Sequence, residues 1–420
     1  MHIKDKINGG NFDGVFEKLY GDIDSARARF CNAVDCFDEY FQNDGERFLF
    51  SAPGRTEVGG NHTDHQHGCV LAGSVNLDVI AVVSKNDSGM VRIKSEGFDM
   101  DEVSITDLAP NNELFGKSSE LIKGMLYQLQ LAGYSISGFD AYTTSNVLKG
   151  SGLSSSAAFE VLVGVIISGL YNDGGIDAVE IAKMAQKAEN LHFGKPCGLM
   201  DQMACSVGGF TAIDFSDVHN PVIEKVDFDL SSEGYSLCIV NTGGNHADLT
   251  DDYAGITVEC RQISEFFGKE FLRDVNPTLI YDNILQLREC FGDRAVLRAI
   301  HFFDENKRAV DEKNALVNKE FDKFLDLVKK SGNSSYKYLQ NVYSVSSPKQ
   351  QGLSLALALA EKVLGDRGAF RVHGGGFAGT IQAFVPNELL NSFLNTMRAA
   401  FSEDSCFVLN IRPLGGVEIK

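Results

Sequence analysis

Residues 12–43 place Phe and Tyr among Asp and Arg at helical spacing, and predict polar, amphipathic helix. Residues 47–58 open with a short apolar strand, Phe48-Leu49-Phe50, which Pro53 and Gly54 are expected to end in favour of a loop. Strand character returns over 69–83 and over 91–95, where apolar and polar positions alternate. Helical spacing follows over 119–133, and 138–145 reads as a strand running into a glycine loop. Further helices are predicted over 155–171 and 177–192. After Asp214-Phe215-Ser216-Asp217 the chain becomes turn-rich, and a new strand begins at Tyr235. Two more strands, 369–372 and 381–385, flank a glycine cluster. Strands and helices mixed without regular βα alternation predict an α+β fold rather than a doubly wound parallel sheet. The shift in composition places a boundary between an N-terminal unit, 1–216, and a C-terminal unit, 217–420.

With 44% apolar and 23% charged residues in a chain of 420, a large core is expected and disorder as the main state is excluded. Lys plus Arg number 38 against 57 Asp plus Glu, for a net charge of −19. No nucleic-acid or membrane partner is expected, because phosphate-rich surfaces need a basic face. A small phosphate ligand needs only a local pocket of backbone N–H groups. The first ten residues carry no apolar signal core, and the longest apolar run, near Val161 to Leu170, is too short to span a bilayer. Nine scattered cysteines without C-x-x-C spacing suit free thiols in a reducing, cytoplasmic setting. The 42 glycines against 8 prolines point to glycine loops inside a globular fold.

Four segments carry chemistry. The first is Gly150-Ser151-Gly152-Leu153-Ser154-Ser155-Ser156-Ala157-Ala158, between a strand and a helix. Its glycines allow close backbone approach, and the helix that follows offers unpaired N–H groups and the positive end of its dipole. This can cradle a triphosphate; an ordinary serine cap is the alternative. The segment is not a Walker A loop, since it lacks G-x-x-x-x-G-K-[ST]. The second runs from Gly54 to Gly68 and packs Arg55, Glu57, His62, Asp64, His65 and His67 between glycines. Those side chains suit vicinal hydroxyls, which need donors and acceptors in pairs; a metal site and a solvated polar turn stay open beside that reading. The third is Pro196-Cys197-Gly198-Leu199-Met200-Asp201-Gln202, where a lone Asp stands in an apolar stretch, either as a helix cap or as a carboxylate held ionised by a partner such as Arg55. The fourth, His373 to Thr380, holds four glycines between two strands, more than a hairpin uses, and suits a backbone lying against something bulky such as a phosphate chain.

The order A-P-G-R…H-T-D, G-L-S-S-S-A, P-C-G-L-M-D-Q and G-G-G-F-A-G, spread from Ala52 to Gly379, resembles the galactokinases. These belong to a wider family of small-molecule kinases with homoserine, mevalonate and phosphomevalonate kinases. The resemblance implies a two-domain fold, with an N-terminal domain like ribosomal S5 domain 2, a ferredoxin-like C-terminal domain, and the active site in the cleft between them. It implies ATP and Mg²⁺ as cofactors and transfer to the anomeric C1 hydroxyl of galactose. Arg55, Asn61, His62, Asp64, Gly198, Asp201 and Tyr253 would bind the sugar. Asp201 would accept the hydroxyl proton, with Arg55 orienting it. Gly150, Gly152, Leu153, Ser154, Ser155, Ser156 and Ala157 would bind the nucleotide, and Ser156 and Glu189 the metal. A monomer or weak oligomer is expected.

The sugar loop departs from the usual G-R-V-N-L-I-G-E-H-T-D-Y: here it reads G-R-T-E-V-G-G-N-H-T-D-H. Asn61 stands for a glutamate, Glu57 for an asparagine and His65 for a tyrosine, which bears on sugar preference rather than on the chemistry. The alternatives are a kinase of another monosaccharide, such as N-acetylgalactosamine, and a non-catalytic sugar and ATP sensor.

Overall fold

The computed structural model describes residues 2–147, 152–195, 197–243 and 249–420. Among them, strands fall in two sheets. The first holds β1 (Phe48–Gly59), β2 (Cys69–Lys85), β3 (Met90–Ser95), β4 (Met100–Ser104), β5 (Phe139–Ser145), β6 (Phe210–Asp214) and β7 (Val222–Val226). The second holds β8 (Tyr235–Asn241), β9 (Ala369–His373), β10 (Thr380–Pro386) and β11 (Cys406–Leu409), after which β12 (Val417–Ile419) returns to the first. The first sheet runs β12-β1-β2-β5-β3-β4, with β6 on β2 and β7 on β6, and its β3–β5 pair is parallel. The second runs β11-β8-β10-β9 and is antiparallel.

Three N-terminal helices, α1 (Ile3–Asn8), α2 (Asp13–Tyr20) and α3 (Ile23–Tyr40), cover one face of the first sheet. Their Phe16, Phe30 and Phe37 pack with Leu49, Ile80, Val82 and Tyr142. The other face carries α4 (Ser118–Leu131), α5 (Ser155–Tyr171), α6 (Ala178–Ala188) and α7 (Met200–Val207). Helix α5 is apolar on nearly every side because it is the central helix, in contact with β1, β2, α4, α6 and α7. Helices α8 (Thr250–Phe266), α9 (Thr278–Asp282), α10 (Ile284–Phe291), α11 (Asp293–Val317) and α12 (Phe321–Ser334) follow β8, and α13 (Gly352–Leu364) and α14 (Leu390–Ala400) cover the second sheet. The succession β8, helices, β9, β10, α14, β11 in this strand order is the ferredoxin-like arrangement. No helix of the described residues is long and apolar enough to cross a membrane.

Two expectations change. Pro53 and Gly54 do not end the first strand: β1 runs on to Gly59, with register shifts between Pro53 and Arg55 and between Glu57 and Gly59. Irregular pairing accommodates a proline, which has no N–H to give the ladder. Arg55 and Glu57 therefore sit on a strand. The boundary at 216 also divides the sequence but not the sheet, because β7 still pairs with β6 and β12 pairs with β1.

A buried carboxylate ties the N-terminal helices to this sheet. Asp78, on β2 opposite Pro53, accepts hydrogen bonds from Arg29 Nη1 (2.5 Å), Arg412 Nη1 (3.0 Å), the Tyr20 hydroxyl (2.6 Å) and Ser51. Burial would raise its pKa, but the two guanidinium groups outweigh it and hold Asp78 below the ordinary carboxylate range.

Candidate active site

The serine segment begins where α5 begins. Ser154 is the N-cap residue, in the left-handed region at φ 57°, and its side chain caps nothing in the helix. Its hydroxyl donates instead to Asp201 Oδ2. Such a backbone conformation in a residue other than glycine is uncommon and concentrates at functional sites. It leaves the first-turn N–H groups of α5 without a side-chain cap, available to an anion. Buried Leu153 fixes the segment to β1, its carbonyl accepting the Arg55 N–H at 3.0 Å, and Ala157 is buried below. Gly150 lies outside the described residues.

Asp201 lies in the first turn of α7 and receives Arg55 as a fork: Nε donates to Oδ1 and Nη2 to Oδ2, both at 2.7 Å. Arg55 Nη1 donates to the carbonyl of Gly152, so one guanidinium joins β1, the serine segment and α7. Burial would raise the Asp201 pKa, yet the Arg55 charge and hydrogen bonds, the Ser154 hydroxyl and the more distant Lys195 outweigh it, and the carboxyl stays below its usual range. Its side chain keeps 32% of its surface exposed, enough to meet a substrate hydroxyl.

Beside this pair, the Ser156 hydroxyl lies 3.3 Å from Glu189 Oε1, and Lys195 Nζ lies 2.7 Å from the same oxygen. The Gln202 amide donates to Glu189 Oε2 at 2.8 Å and to Glu160 Oε2 at 3.2 Å. Glu160 is fully buried with Oε1 unpartnered, and burial together with neighbouring Glu189 pushes its carboxyl well up. This set fits a divalent cation: hydroxyl and carboxylate oxygens are hard donors, and Glu189 already holds an ammonium. Among the described residues no three His, Cys, Asp or Glu side chains are grouped to hold a metal alone, so phosphate oxygens and water would complete the shell.

The expected sugar residues meet one another or the glycine cluster. Asp64 faces Gly198 so closely that a Cβ there would stand 2.8 Å from Asp64 Oδ2, which explains the glycine. His62, at φ 60°, has Nε2 at 2.9 Å from the carbonyl of Gly375. Burial and neighbouring His65 push its pKa down to about 4, so the ring is neutral and donates this bond. The Tyr253 hydroxyl donates to the Gly376 carbonyl at 2.8 Å, and its ring packs edge-on against Phe377. Glycine is required at 375, where a Cβ would meet the Tyr253 ring at 2.6 Å.

Asn61 is fully buried, and its amide is spent on protein. Nδ2 donates to Glu57 Oε1 (2.9 Å) and the Gly374 carbonyl (2.8 Å), while Oδ1 accepts from Ser335 (3.1 Å) and Asn341 (2.9 Å). Glu57 in turn pairs with Arg371 Nη2 at 2.7 Å. The exchanged residues at 57 and 61 thus form a buried joint between β1, β9 and the glycine cluster, and in this structure Asn61 braces the loop from behind.

Several residues of the site carry no motif. Glu160 follows Ser156 by four positions, on the same helix face, and its signal is a lone carboxylate in an otherwise apolar helix. Glu305, on α11, accepts the N–H groups of Gly60 (3.1 Å) and Asn61 (3.4 Å). Burial would raise its pKa, but Arg308, His301 and Arg371 bring it down to about 2. His373 sits between Thr56 (3.0 Å) and Thr380 (2.9 Å), and burial with the charges of Arg55 and Arg371 pushes it down to about 3. The bonds of Glu305 to Gly60 and Asn61 and of His373 to Thr56 join positions more than 200 residues apart, and no local pattern announces them.

Sheet, serine-headed helix and glycine cluster together define a small-molecule kinase: residues 120–209 match the GHMP kinases N terminal domain, and residues 35–85 match the galactokinase galactose-binding signature. The chain is 31% identical to the galactokinase of Streptomyces coelicolor over 376 residues, 85% of this chain and 92% of that one. It is 30% identical to the Bacillus subtilis galactokinase, over 86% and 90% of the two chains. The crystal structure of Lactococcus lactis galactokinase complexed with galactose shares the fold at TM-score 0.76 and 24% identity, over 91% and 98% of the two chains. Methanococcus jannaschii mevalonate kinase superposes at TM-score 0.63 and 15% identity, over 88% and 99%. The chain belongs to the galactokinase family.

Proposed function

We infer that this chain transfers the terminal phosphoryl group of ATP to the anomeric C1 hydroxyl of galactose. The observation that carries this reading is the contact between Asp201 and Ser154: a forked, ionised carboxylate touches the head of an uncapped helix. The α5 N-terminus with Ser154, Ser155 and Ser156 holds the phosphates. The sugar lies on His62, Asp64, Gly198 and Tyr253, with Arg55 and Asp201 at its C1 end. As the bond from C1 oxygen to the γ-phosphorus forms and the bridging oxygen leaves with ADP, Asp201 takes the hydroxyl proton. Arg55 holds the carboxylate in line and keeps it ionised. Ser156 and Glu189 would hold Mg²⁺, which neutralises phosphate oxygens when bound. The two sheet units, divided near 216–226, flank this site, and the free thiols suit a cytoplasmic setting.

A coupled ADP-release assay over a panel of sugars tests the reading: galactose gives the highest kcat/KM, and N-acetylgalactosamine as the better acceptor would replace it. Ser156→Ala is expected to raise the Mg²⁺ concentration needed for half-maximal rate several-fold, about what loss of one ligand contact costs. Superimposable magnesium titrations would reduce Ser156 to a helix residue.

A further inference from the structure

The site holds a cation that the transfer scheme above does not use. Glu189 to Phe193 forms a π-helical turn, closed by Gly194 at φ 78° and by the Lys195 N–H donating to the Glu189 carbonyl at 3.1 Å. The wider turn brings Lys195 back beside Glu189, where Nζ meets Oε1 at 2.7 Å. Ser156 Oγ lies 3.3 Å from that oxygen, so the ammonium and the serine hydroxyl stand no farther apart than the sum of the two distances. Lys195 also lowers the Asp201 pKa electrostatically, so its charge is felt at the base as well as at Glu189.

The other cations of the motif segments are committed. Among the described residues these are Arg55, forked on Asp201 and bonded to Gly152, and Arg371, buried on Glu57 and the Val58 carbonyl. The Lys195 side chain is instead 58% exposed, against 2% for the carboxylate on which it rests. A lysine of this kind is a compact charge on a flexible stem, able to change partner by rotating its chain. Any phosphoryl group held by Ser156 and presented to Asp201 passes within reach of it.

We propose that Lys195 is a phosphate-contacting residue of the transfer: it rests on Glu189 in the free protein and moves onto a terminal phosphoryl oxygen of bound nucleotide. The role is electrostatic, since charge on the equatorial oxygens must be stabilised while the group is in flight. It leaves the proton to Asp201 and forms no covalent bond. The inference rests on the kinase reading for the direction of transfer, but not on which sugar accepts.

The test uses Lys195→Met, which keeps the length of the stem, and Lys195→Arg, which keeps the charge. ATP binding is measured by calorimetry in EDTA, where no metal contributes, and kcat/KM for ATP is measured with saturating Mg²⁺ and galactose. Lys195→Met is expected to weaken metal-free ATP binding about tenfold, the usual effect of one charge-assisted contact, and to lower kcat/KM for ATP at least as much. The KM for galactose stays within twofold, and Lys195→Arg recovers most of both losses. If Lys195→Met binds metal-free ATP and turns over like wild type, the proposal is overturned and the lysine is only a counter-ion of Glu189. Wild-type turnover of galactose, run alongside, separates the two questions. Its absence would sink the sugar reading while a loss of ATP binding in Lys195→Met still upheld this one.

Discussion

Asp201→Asn is expected to lower kcat at least about 100-fold, the usual range for losing a general base, while the KM for galactose stays near wild type. The amide keeps the size of the carboxylate and can still accept one bond from Arg55, so the α7 turn and the neighbouring sugar contacts hold. What goes is the charge proposed to take the C1 proton and the second arm of the fork. Because Arg55 keeps the carboxyl below its ordinary range, Asp201 is ionised throughout neutral and mildly acid solution. The profile of kcat/KM, which reports the free enzyme, therefore shows no acid limb from this group between about pH 5 and 8. Unchanged turnover in the variant would remove Asp201 from the reaction.

Asp78→Asn is expected to cost about 3–5 kcal/mol of stability, the range for breaking a buried ion pair by removing one partner. Arg412 is fully buried and Arg29 mostly so, and both would keep a charge without its counterpart. The loss falls on the seam where α2, α3, β1, β2 and the C-terminal segment meet, and the hydrogen bonds to Asp78 come from Tyr20, Arg29, Ser51 and Arg412, not from Arg55 or Ser154. Turnover at low temperature should therefore survive in the folded fraction. The pH sign is set by a folded-state pKa below the unfolded one. The stabilisation from Asp78 is fully present above about pH 4 and is lost as pH falls through the depressed folded value. Urea unfolding at pH 7 measures it; a midpoint shift equivalent to less than about 1 kcal/mol would show the cluster to be replaceable.

The parts of the site that lie in single glycine-bounded segments are legible from residue order and type alone. Ser154 to Ser156 exceed what a cap needs and Asp201 stands out as a charge in an apolar run, and the structure joins the two segments through the Ser154 hydroxyl. The strands flanking the glycine cluster read correctly because both are short, largely apolar runs that abut glycines, and they pair as β9 and β10. Pro53-Gly54 misleads because a punctuating dipeptide in sequence can be taken up as a register shift once a long partner strand is present, as β2 is here. Asn61 misleads differently. Its residue type suits a hydroxyl ligand, but its role is set by Glu57, Ser335 and Asn341, which only the tertiary structure brings to it. The return of β12 to β1 has no local signal, since a three-residue strand is specified by the partner it joins.

The most direct measurement follows the reaction product itself. Galactose labelled with carbon-13 at C1 is incubated with the protein and Mg·ATP, and carbon and phosphorus spectra are recorded together. The expected result is a new C1 resonance split by phosphorus, growing in step with ADP, with 1-deoxygalactose inert under the same conditions. ADP released without a sugar phosphate, or phosphate found on any other carbon, would contradict a cleft in which Asp201 presents the anomeric hydroxyl to the serine-held phosphoryl group.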